Sequence, residues 1–231
     1  MAEMTGAFLE SLKTRHSVIV GATRSGKTYF VGQVLTRLQG EGVHTIFVDP
    51  KWDKDYESLG VVCTTPMQVY ANLLAKKPKI IFRTNIDTKE EDLNLVIRLL
   101  FDLQRTDGYK RIRRVIAIDE VQLYVGKGKN TAIEMIWTIG AGLKIVGMAL
   151  TQRVQLLNET CWSQSENKVL FRMDERAEYL KQRALEHYPS DDLNLDMRKY
   201  HYYATSGGGK WKLYDPIDTP KYSGPLKLTR W

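Results

Sequence analysis

The chain has 231 residues, 43% of them apolar and 26% charged, which is enough apolar material for a core and excludes a disordered chain. The formal net charge of +7 favours a polyanionic partner such as nucleic acid, although such a balance also suits plain solubility. Two cysteines, four histidines and the absence of a C-x-x-C pair exclude a disulfide framework and a structural zinc site.

The sequence indicates no membrane segment. No apolar run approaches the about 18 residues that a bilayer-spanning helix needs. Residues 1–14 include Glu3 and Glu10, whereas a secretory leader has a basic start followed by an apolar block. We therefore expect a soluble intracellular protein.

Residues 21–28 form the first strong motif. The pattern G-x-x-x-x-G-K-[ST] is matched at every fixed position by the run Gly21, Ala22, Thr23, Arg24, Ser25, Gly26, Lys27 and Thr28. An apolar run at 16–20 precedes it and a stretch with helical apolar spacing follows, so strand, loop and helix are predicted. Lys27 would reach the outer phosphates of a nucleotide, and the Thr28 hydroxyl would bind Mg²⁺. An ordinary glycine-rich turn is the alternative.

Strands and helices alternate after the loop helix. Strands are predicted at 43–48, 61–63 and 79–83, and helices at 67–76 and from 88 onward. Two capping boxes support these helices, Thr65 with Gln68 and Thr88 with Glu91. Asp49 ends the first of these strands, where it either faces the nucleotide or forms a turn with Pro50, and the sequence favours neither.

A second motif is the acidic pair that follows the apolar run 115–118. Asp119 at a strand end would hold Mg²⁺ through water, and Glu120 would orient and deprotonate an attacking water. A kinase must exclude water from its site, so the pair favours hydrolysis over phosphoryl transfer to another acceptor.

Two further segments are candidates for the function. Lys127 and Lys129, in a glycine-spaced loop before a helix that ends near residue 139, either contact the backbone of DNA or belong to a solvated turn. Gln152 follows a predicted strand at 144–150, where its amide either contacts the γ-phosphate or only completes the strand end.

The sequence pattern changes in the last part of the chain. A strand is predicted at 168–173 and a helix, capped by Asp174, up to residue 187. Residues 200–204 and 211–214 read as a β-hairpin whose aromatic residues pack or approach nucleic acid, and a proline-containing extended tail follows. The whole order predicts an α/β fold, with a mostly parallel sheet and helices on both faces.

Four segments together resemble a known family. They are the loop 21–28, the strand ending in Asp119 and Glu120, the strand at 144–150 ending in Thr-Gln-Arg, and the following segment 158–173, and they are similar to the FtsK/HerA superfamily of P-loop ATPases. Over residues 16–175 the chain looks most like the genome-packaging ATPases of membrane-containing double-jelly-roll viruses, including turreted archaeal ones.

The resemblance implies a P-loop NTPase of the additional-strand type, with the strand at 144–150 between the two motif strands. It implies that ATP and Mg²⁺ bind, and that a homo-oligomeric ring, expected to be a hexamer, threads double-stranded DNA into a preformed capsid. The partners would be capsid or inner-membrane vertex proteins, and the location the host cytoplasm or a virion vertex. The expected parts are a lead-in at 1–15, the ATPase core at 16–190 and a hairpin with a tail at 191–231, packed on the core.

The resemblance also assigns roles to single residues. It matches Lys27 and Thr28 to the first motif, Asp119 and Glu120 to the second, and Gln152 to the sensing amide. Many relatives have an arginine before the strand at 144–150 that serves the neighbouring subunit, and this chain has none at 139–144. The cation acting in trans is therefore expected to be Arg153, with three alternatives, namely Arg172, Arg176 and Lys144.

Four other functions remain open at this point. The first two are an ATPase that acts on a protein during virion assembly or export, and a cellular HerA-like DNA translocase. The others are a small-molecule kinase, which Glu120 disfavours, and a nucleotide-gated binding module without useful turnover.

Overall fold

The computed structural model describes residues 4, 6–125, 131–173, 200–207 and 211–217. In these residues the helices are α1 (Gly6–Thr14), α2 (Lys27–Gly40), α3 (Pro66–Leu74), α4 (Lys89–Arg105), α5 (Thr131–Met135) and α6 (Glu159–Ser163). The strands are β1 (Ser17–Val20), β2 (His44–Val48), β3 (Val61–Cys63), β4 (Lys79–Phe82), β5 (Arg114–Ile118), β6 (Ile145–Thr151), β7 (Asn167–Leu170), β8 (Tyr202–Ser206) and β9 (Lys212–Tyr214). Within the same residues, no helix is long and apolar enough to cross a membrane.

One mixed sheet contains all the strands of the described residues, in the order β3-β4-β2-β5-β6-β1-β7-β8-β9. The strands from β3 to β7 in this order pair in parallel, and β8 and β9 are antiparallel. The expected mostly parallel sheet is therefore confirmed, as is the C-terminal hairpin. Strand β6 lies between β5 and β1, which confirms the additional-strand arrangement.

Both faces of the sheet are covered because strand residues alternate between two apolar clusters. Val18 and Val20 of β1 belong to the cluster under α3, α4, α5 and α6, whereas Ile19 belongs to the cluster under α1 and α2. Residues 6–14, expected only as part of a polar lead-in, form a helix whose Phe8 and Leu12 are buried in the second cluster.

Helix α4 follows its sequence pattern closely. Its predicted apolar face is buried throughout, and the face consists of Leu93, Val96, Ile97, Leu100 and Phe101. Three acidic residues in its first turn and Arg105 in its last turn complement the helix dipole.

The two predicted capping boxes are wrong in detail. Thr65 Oγ1 accepts from the Gln68 backbone N–H at 3.3 Å, but the Gln68 side chain accepts from Thr64 N instead of Thr65 N. The Thr88 hydroxyl donates to Asp92 Oδ2 at 2.7 Å and accepts no cap hydrogen bond from α4, so the capping box with Glu91 does not form. The hydrogen bond to Asp92 holds the Thr88 side chain in a position from which it does not cap the helix.

The predicted helix up to residue 139 is only partly α-helical. Helix α5 ends at Met135, and a π-helical turn, Ile136–Gly140, follows it directly. Ile136 and Trp137 of this turn pack so closely on β6 that a Cβ atom at Gly147 would lie 2.8 Å from each. The glycine therefore permits the close approach of the turn to the sheet.

The hairpin is packed on the core. Tyr202 and Tyr214 are buried with ring centroids 5.3 Å apart, and Tyr202 lies 4.8 Å from the Phe30 ring of α2. These aromatic residues serve packing, one of the two interpretations of the sequence. The predicted helix capped by Asp174 and the tail beyond residue 217 lie outside the described residues.

His16 is a buried titratable group at the start of β1. Its Nδ1 accepts from the Gly147 N–H at 2.9 Å, and its ring centroid lies 5.8 Å from that of Trp137. Burial lowers the pKa of His16 to about 4, and the charge of Glu166 opposes this only in part. The folded protein therefore favours the neutral imidazole.

We expect acid destabilisation that depends on His16. Because the folded pKa lies below the unfolded value of about 6.5, this stability is complete above pH 6.5 and is lost as the pH falls towards 4. Between pH 7 and pH 5 the loss from this residue is about 2 kcal/mol. Urea unfolding of wild type and His16→Asn, which keeps an acceptor for Gly147 but cannot titrate, measures it as the difference in pH dependence. Equal pH dependence in the two proteins would contradict the prediction.

Candidate active site

Three neighbouring strands bring the predicted site residues to one edge of the sheet. Val20 pairs with Thr151 and Ile118 pairs with Ala149, so β1, β6 and β5 end close together. The loop 21–28 follows β1, Gln152 follows β6, and Asp119 and Glu120 follow β5. Segments far apart in the chain therefore meet at the carboxyl ends of parallel strands, where α/β proteins place their ligands.

The loop 21–28 is a tight turn held against the residues that follow β7. Ala22 N donates to Arg172 O at 2.8 Å, and a Cβ atom at Gly21 would collide with Phe171. Gly26 has φ of 107°, which favours glycine, and it begins α2 without a side-chain cap. The first turn of α2 therefore presents backbone N–H groups and the positive end of the helix dipole, a favourable setting for phosphate.

Lys27 is buried in this loop. Its Nζ donates to Ala22 O at 2.9 Å and also to Gly21 O. Burial lowers the pKa of Lys27 to about 8, while the charges of Glu120 and Asp119 act in the opposite direction. The ammonium is thus poorly solvated, and the partners that it has among the described residues are carbonyl oxygens, which phosphate oxygens could replace.

Asp119 and Glu120 are buried, 2% and 3% exposed. Glu120 has φ of 46° and ψ of 52°, a left-handed conformation that costs a non-glycine residue about 1 kcal/mol or more. Its backbone N–H donates to Asp119 Oδ1 at 3.0 Å, which supports this conformation. The strained turn directs both carboxylates towards the loop edge of the sheet.

The Glu120 carboxylate is linked through Gln152 to the loop 21–28, the candidate phosphate-binding loop (the phosphate loop). Gln152 Nε2 donates to Glu120 Oε1, and Gln152 Oε1 accepts from the Thr23 hydroxyl at 3.0 Å. Gln122 Nε2 donates to Glu120 Oε2 at 2.6 Å. The predicted amide, carboxylate and loop thus form one hydrogen-bonded chain.

Lys51 is a site residue that sequence reasoning missed. It follows β2, the neighbour of β5, and its Nζ lies 2.5 Å from Glu120 Oε1 and 3.2 Å from Asp119 Oδ2. Burial acts to raise the pKa of Glu120, but the hydrogen bonds from Lys51, Gln122 and Gln152 outweigh it and lower the pKa. Burial raises the pKa of Asp119 despite the charge of Lys51.

Tyr56 was missed as well. It lies in a 3₁₀ turn, Lys54–Leu59, and its buried phenol is close to the Thr28 side chain. Burial, with a contribution from Asp119, raises the pKa of Tyr56 well above its usual value. The phenol therefore stays neutral beside Thr28. A tyrosine in a loop carries no motif that would have identified it.

Asp49 is explained by the turn interpretation. It is fully buried, its Oδ1 accepts from the Lys51 N–H at 3.1 Å, and its Oδ2 pairs with Arg83 Nε at 3.3 Å. Asp49 thus fixes the backbone that carries Lys51.

The proposed metal-binding residues fit Mg²⁺. Asp119 Oδ2 is buried and, among the described residues, accepts no hydrogen bond of good geometry. No cluster of three or more His, Cys, Asp or Glu side chains suited to a metal occurs in that part of the chain. Mg²⁺ needs none, because it is commonly bound by one or two protein oxygens together with substrate phosphates and water.

The other cationic residues predicted for the site make no described contact with Asp119 or Glu120. Arg153 is exposed at the end of β6, and its backbone N–H donates to Thr151 Oγ1 at 3.3 Å. Arg172 is exposed behind the loop, and Lys144 is exposed at the opposite end of β6. Lys127, Lys129 and Arg176 lie outside the described residues.

Comparisons with known proteins identify the fold. Neither models of protein families nor curated proteins match the sequence. The structure is similar to the genome packaging NTPase B204 from Sulfolobus turreted icosahedral virus 2 in complex with AMPPCP, with a TM-score of 0.75, 17% identity and coverage of 90% of this chain and 100% of that one. B204, the DNA-packaging ATPase from Sulfolobus turreted icosahedral virus, gives a TM-score of 0.72, 17% identity and the same coverage. VirB4 of Thermoanaerobacter pseudethanolicus gives 0.66 at 11% identity, covering 89% and 90%.

These likenesses confirm the predicted fold. The chain has the P-loop NTPase fold that its resemblance to the FtsK/HerA superfamily implied, and the likeness extends over nearly all of it.

Proposed function

We propose that this protein is an ATPase that requires Mg²⁺ and uses the hydrolysis of ATP to move double-stranded DNA into a preformed viral capsid. The proposal of ATPase activity rests on one observation, the chain of hydrogen bonds from Thr23 of the phosphate loop through Gln152 to Glu120. It unites an anion-binding loop and a buried carboxylate base in one site, which is what hydrolysis of a nucleotide needs.

Each residue has a chemical task in this proposal. The N–H groups of the loop and of the first turn of α2 bind the phosphates, and Lys27 exchanges its carbonyl partners for phosphate oxygens. Thr28 and Asp119 would hold Mg²⁺, which would neutralise charge on the phosphate oxygens. Glu120 orients a water and accepts its proton, and Gln152 links this step to the loop.

The DNA part rests on the net charge of +7 and on the likeness of fold to the B204 packaging proteins. We propose a homo-oligomeric ring, a hexamer, in which Arg153 serves the ATP of the neighbouring subunit. Its other partners would be capsid or inner-membrane vertex proteins, in the host cytoplasm or at the virion vertex. Lys127 and Lys129 would contact the DNA backbone.

The same catalytic site would also serve a cellular HerA-like translocase or an ATPase that acts on a protein, and VirB4 shares the fold. An effect of DNA on turnover separates the protein-directed enzyme from both translocases. Dependence of capsid filling on the protein separates packaging from a cellular role.

We expect double-stranded DNA to raise ATP hydrolysis several-fold at low salt and the stimulation to fall as salt increases. Each phosphate contact contributes about −0.9 to the slope of log affinity for DNA against log salt concentration. The Lys127→Ala/Lys129→Ala double variant should reduce this slope by about 2. Phosphate release and DNA-binding titrations over a salt series measure both effects.

Lys110→Ala is the control for that experiment, because Lys110 is exposed and pairs with Asp107 away from the site. It should keep the wild-type slope. Heparin in place of DNA tests for a general polyanion effect. Hydrolysis that is indifferent to every DNA at low salt would remove the support for a translocase while leaving the ATPase intact.

A further inference from the structure

Lys51 is the cation shared by two buried carboxylates. Its side chain is 47% exposed, whereas the side chains of Asp119 and Glu120 are 3% and 4% exposed. The other lysine of the site, Lys27, donates to the loop carbonyls of Gly21 and Ala22. Lys51 therefore supplies the neutralising charge for the acidic pair from the solvent side.

The Glu120 oxygen that faces Lys51 is not free to bind a water in this arrangement. Glu120 Oε1 accepts from both Lys51 and Gln152, which fill its two acceptor positions, whereas Oε2 accepts from Gln122 alone. For Oε1 to bind the attacking water and take its proton, one of its two donors has to leave. The two glutamines are neutral, and only the lysine gains strongly from a new anionic partner.

The terminal phosphate of ATP is that new partner. It would lie between the loop that carries Lys27 and the carboxylates, where Lys51 is already within 3.2 Å of both acids. Lys51 is long and half exposed, and the hydrogen bond from its own backbone N–H to Asp49 fixes the turn but not the ammonium. A change of partner therefore needs only rotation of the side chain.

We propose that Lys51 is a positioning residue that neutralises Asp119 and Glu120 before ATP binds and then turns its ammonium to the terminal phosphate, which releases Glu120 to bind the attacking water. This inference rests on the proposed ATPase function. ADP lacks the terminal phosphate, so with ADP Lys51 stays on the carboxylates. Lys51 thus distinguishes the two nucleotides and couples the state of Glu120 to the presence of ATP.

Calorimetric titration of the full chain with AMPPCP and with ADP, in the presence of Mg²⁺, tests the proposal. Lys51→Met should lower the preference for AMPPCP over ADP about tenfold, because the terminal phosphate loses a charge-assisted hydrogen bond that ADP never makes. Lys51→Arg should restore much of the preference. Lys54→Met, which removes an exposed lysine from the same segment, is the matched control and should leave the preference unchanged.

Lys51→Gln covers the case in which Lys51→Met fails to fold, because it keeps a polar side chain with a hydrogen-bond donor and removes the charge. It should show the same loss of preference. An unchanged ratio of AMPPCP to ADP affinity in the folded Lys51 variants would overturn the role of Lys51 and leave the ATPase proposal standing. A wild-type protein that binds neither nucleotide would overturn both.

Discussion

Glu120→Gln should bind ATP and lower its hydrolysis by about 10³-fold, within the range that a positioned general base contributes. The amide keeps the shape of the side chain and can still pair with Gln122 and Gln152, so the site stays folded. It has no basic oxygen to accept the proton of the attacking water. Phosphate release at saturating ATP, together with titration by AMPPCP, measures the two effects separately.

Two variants complete that experiment. Lys27→Ala should weaken nucleotide binding itself, because it removes the buried ammonium of the phosphate loop. Glu57→Gln is the matched control, since Glu57 is an exposed carboxylate that pairs with Arg83 outside the cluster. Wild-type turnover in Glu120→Gln, or equal loss of binding in Glu120→Gln and Lys27→Ala, would contradict the assigned roles.

Arg153→Ala should lower hydrolysis by about 10⁴-fold in the assembled protein if its guanidinium stabilises the transition state of the neighbouring subunit. The exposure of Arg153 beside Gln152 fits a residue that reaches another subunit. Mixing Arg153→Ala with Glu120→Gln subunits should restore partial activity, because some sites then combine an intact Glu120 with an intact Arg153. Hydrolysis rates over a range of mixing ratios measure the recovery.

Arg172→Ala and Lys144→Ala are the comparison variants. Arg172 is exposed behind the phosphate loop, and Lys144 is exposed at the start of β6, so their mixtures with Glu120→Gln test the alternative cations directly. Recovery in one of those mixtures and none with Arg153→Ala would reassign the trans-acting cation.

The sequence by itself determined the local chemistry of this protein. The loop 21–28, the acidic pair, the buried face of α4 and the hairpin were all readable, because each depends on the spacing of residues within one short segment. The same holds for the mostly parallel sheet, which follows from the alternation of strands and helices.

Only the tertiary structure decided which side chains meet across strands. Lys51 carries no motif, and it reaches Asp119 and Glu120 only because β2 lies beside β5. Tyr56 reaches Thr28 in the same way, and Asp92 takes the hydroxyl that the sequence had assigned to a cap. These contacts depend on which side chains lie close together in three dimensions. The spacing of residues along the chain does not specify that.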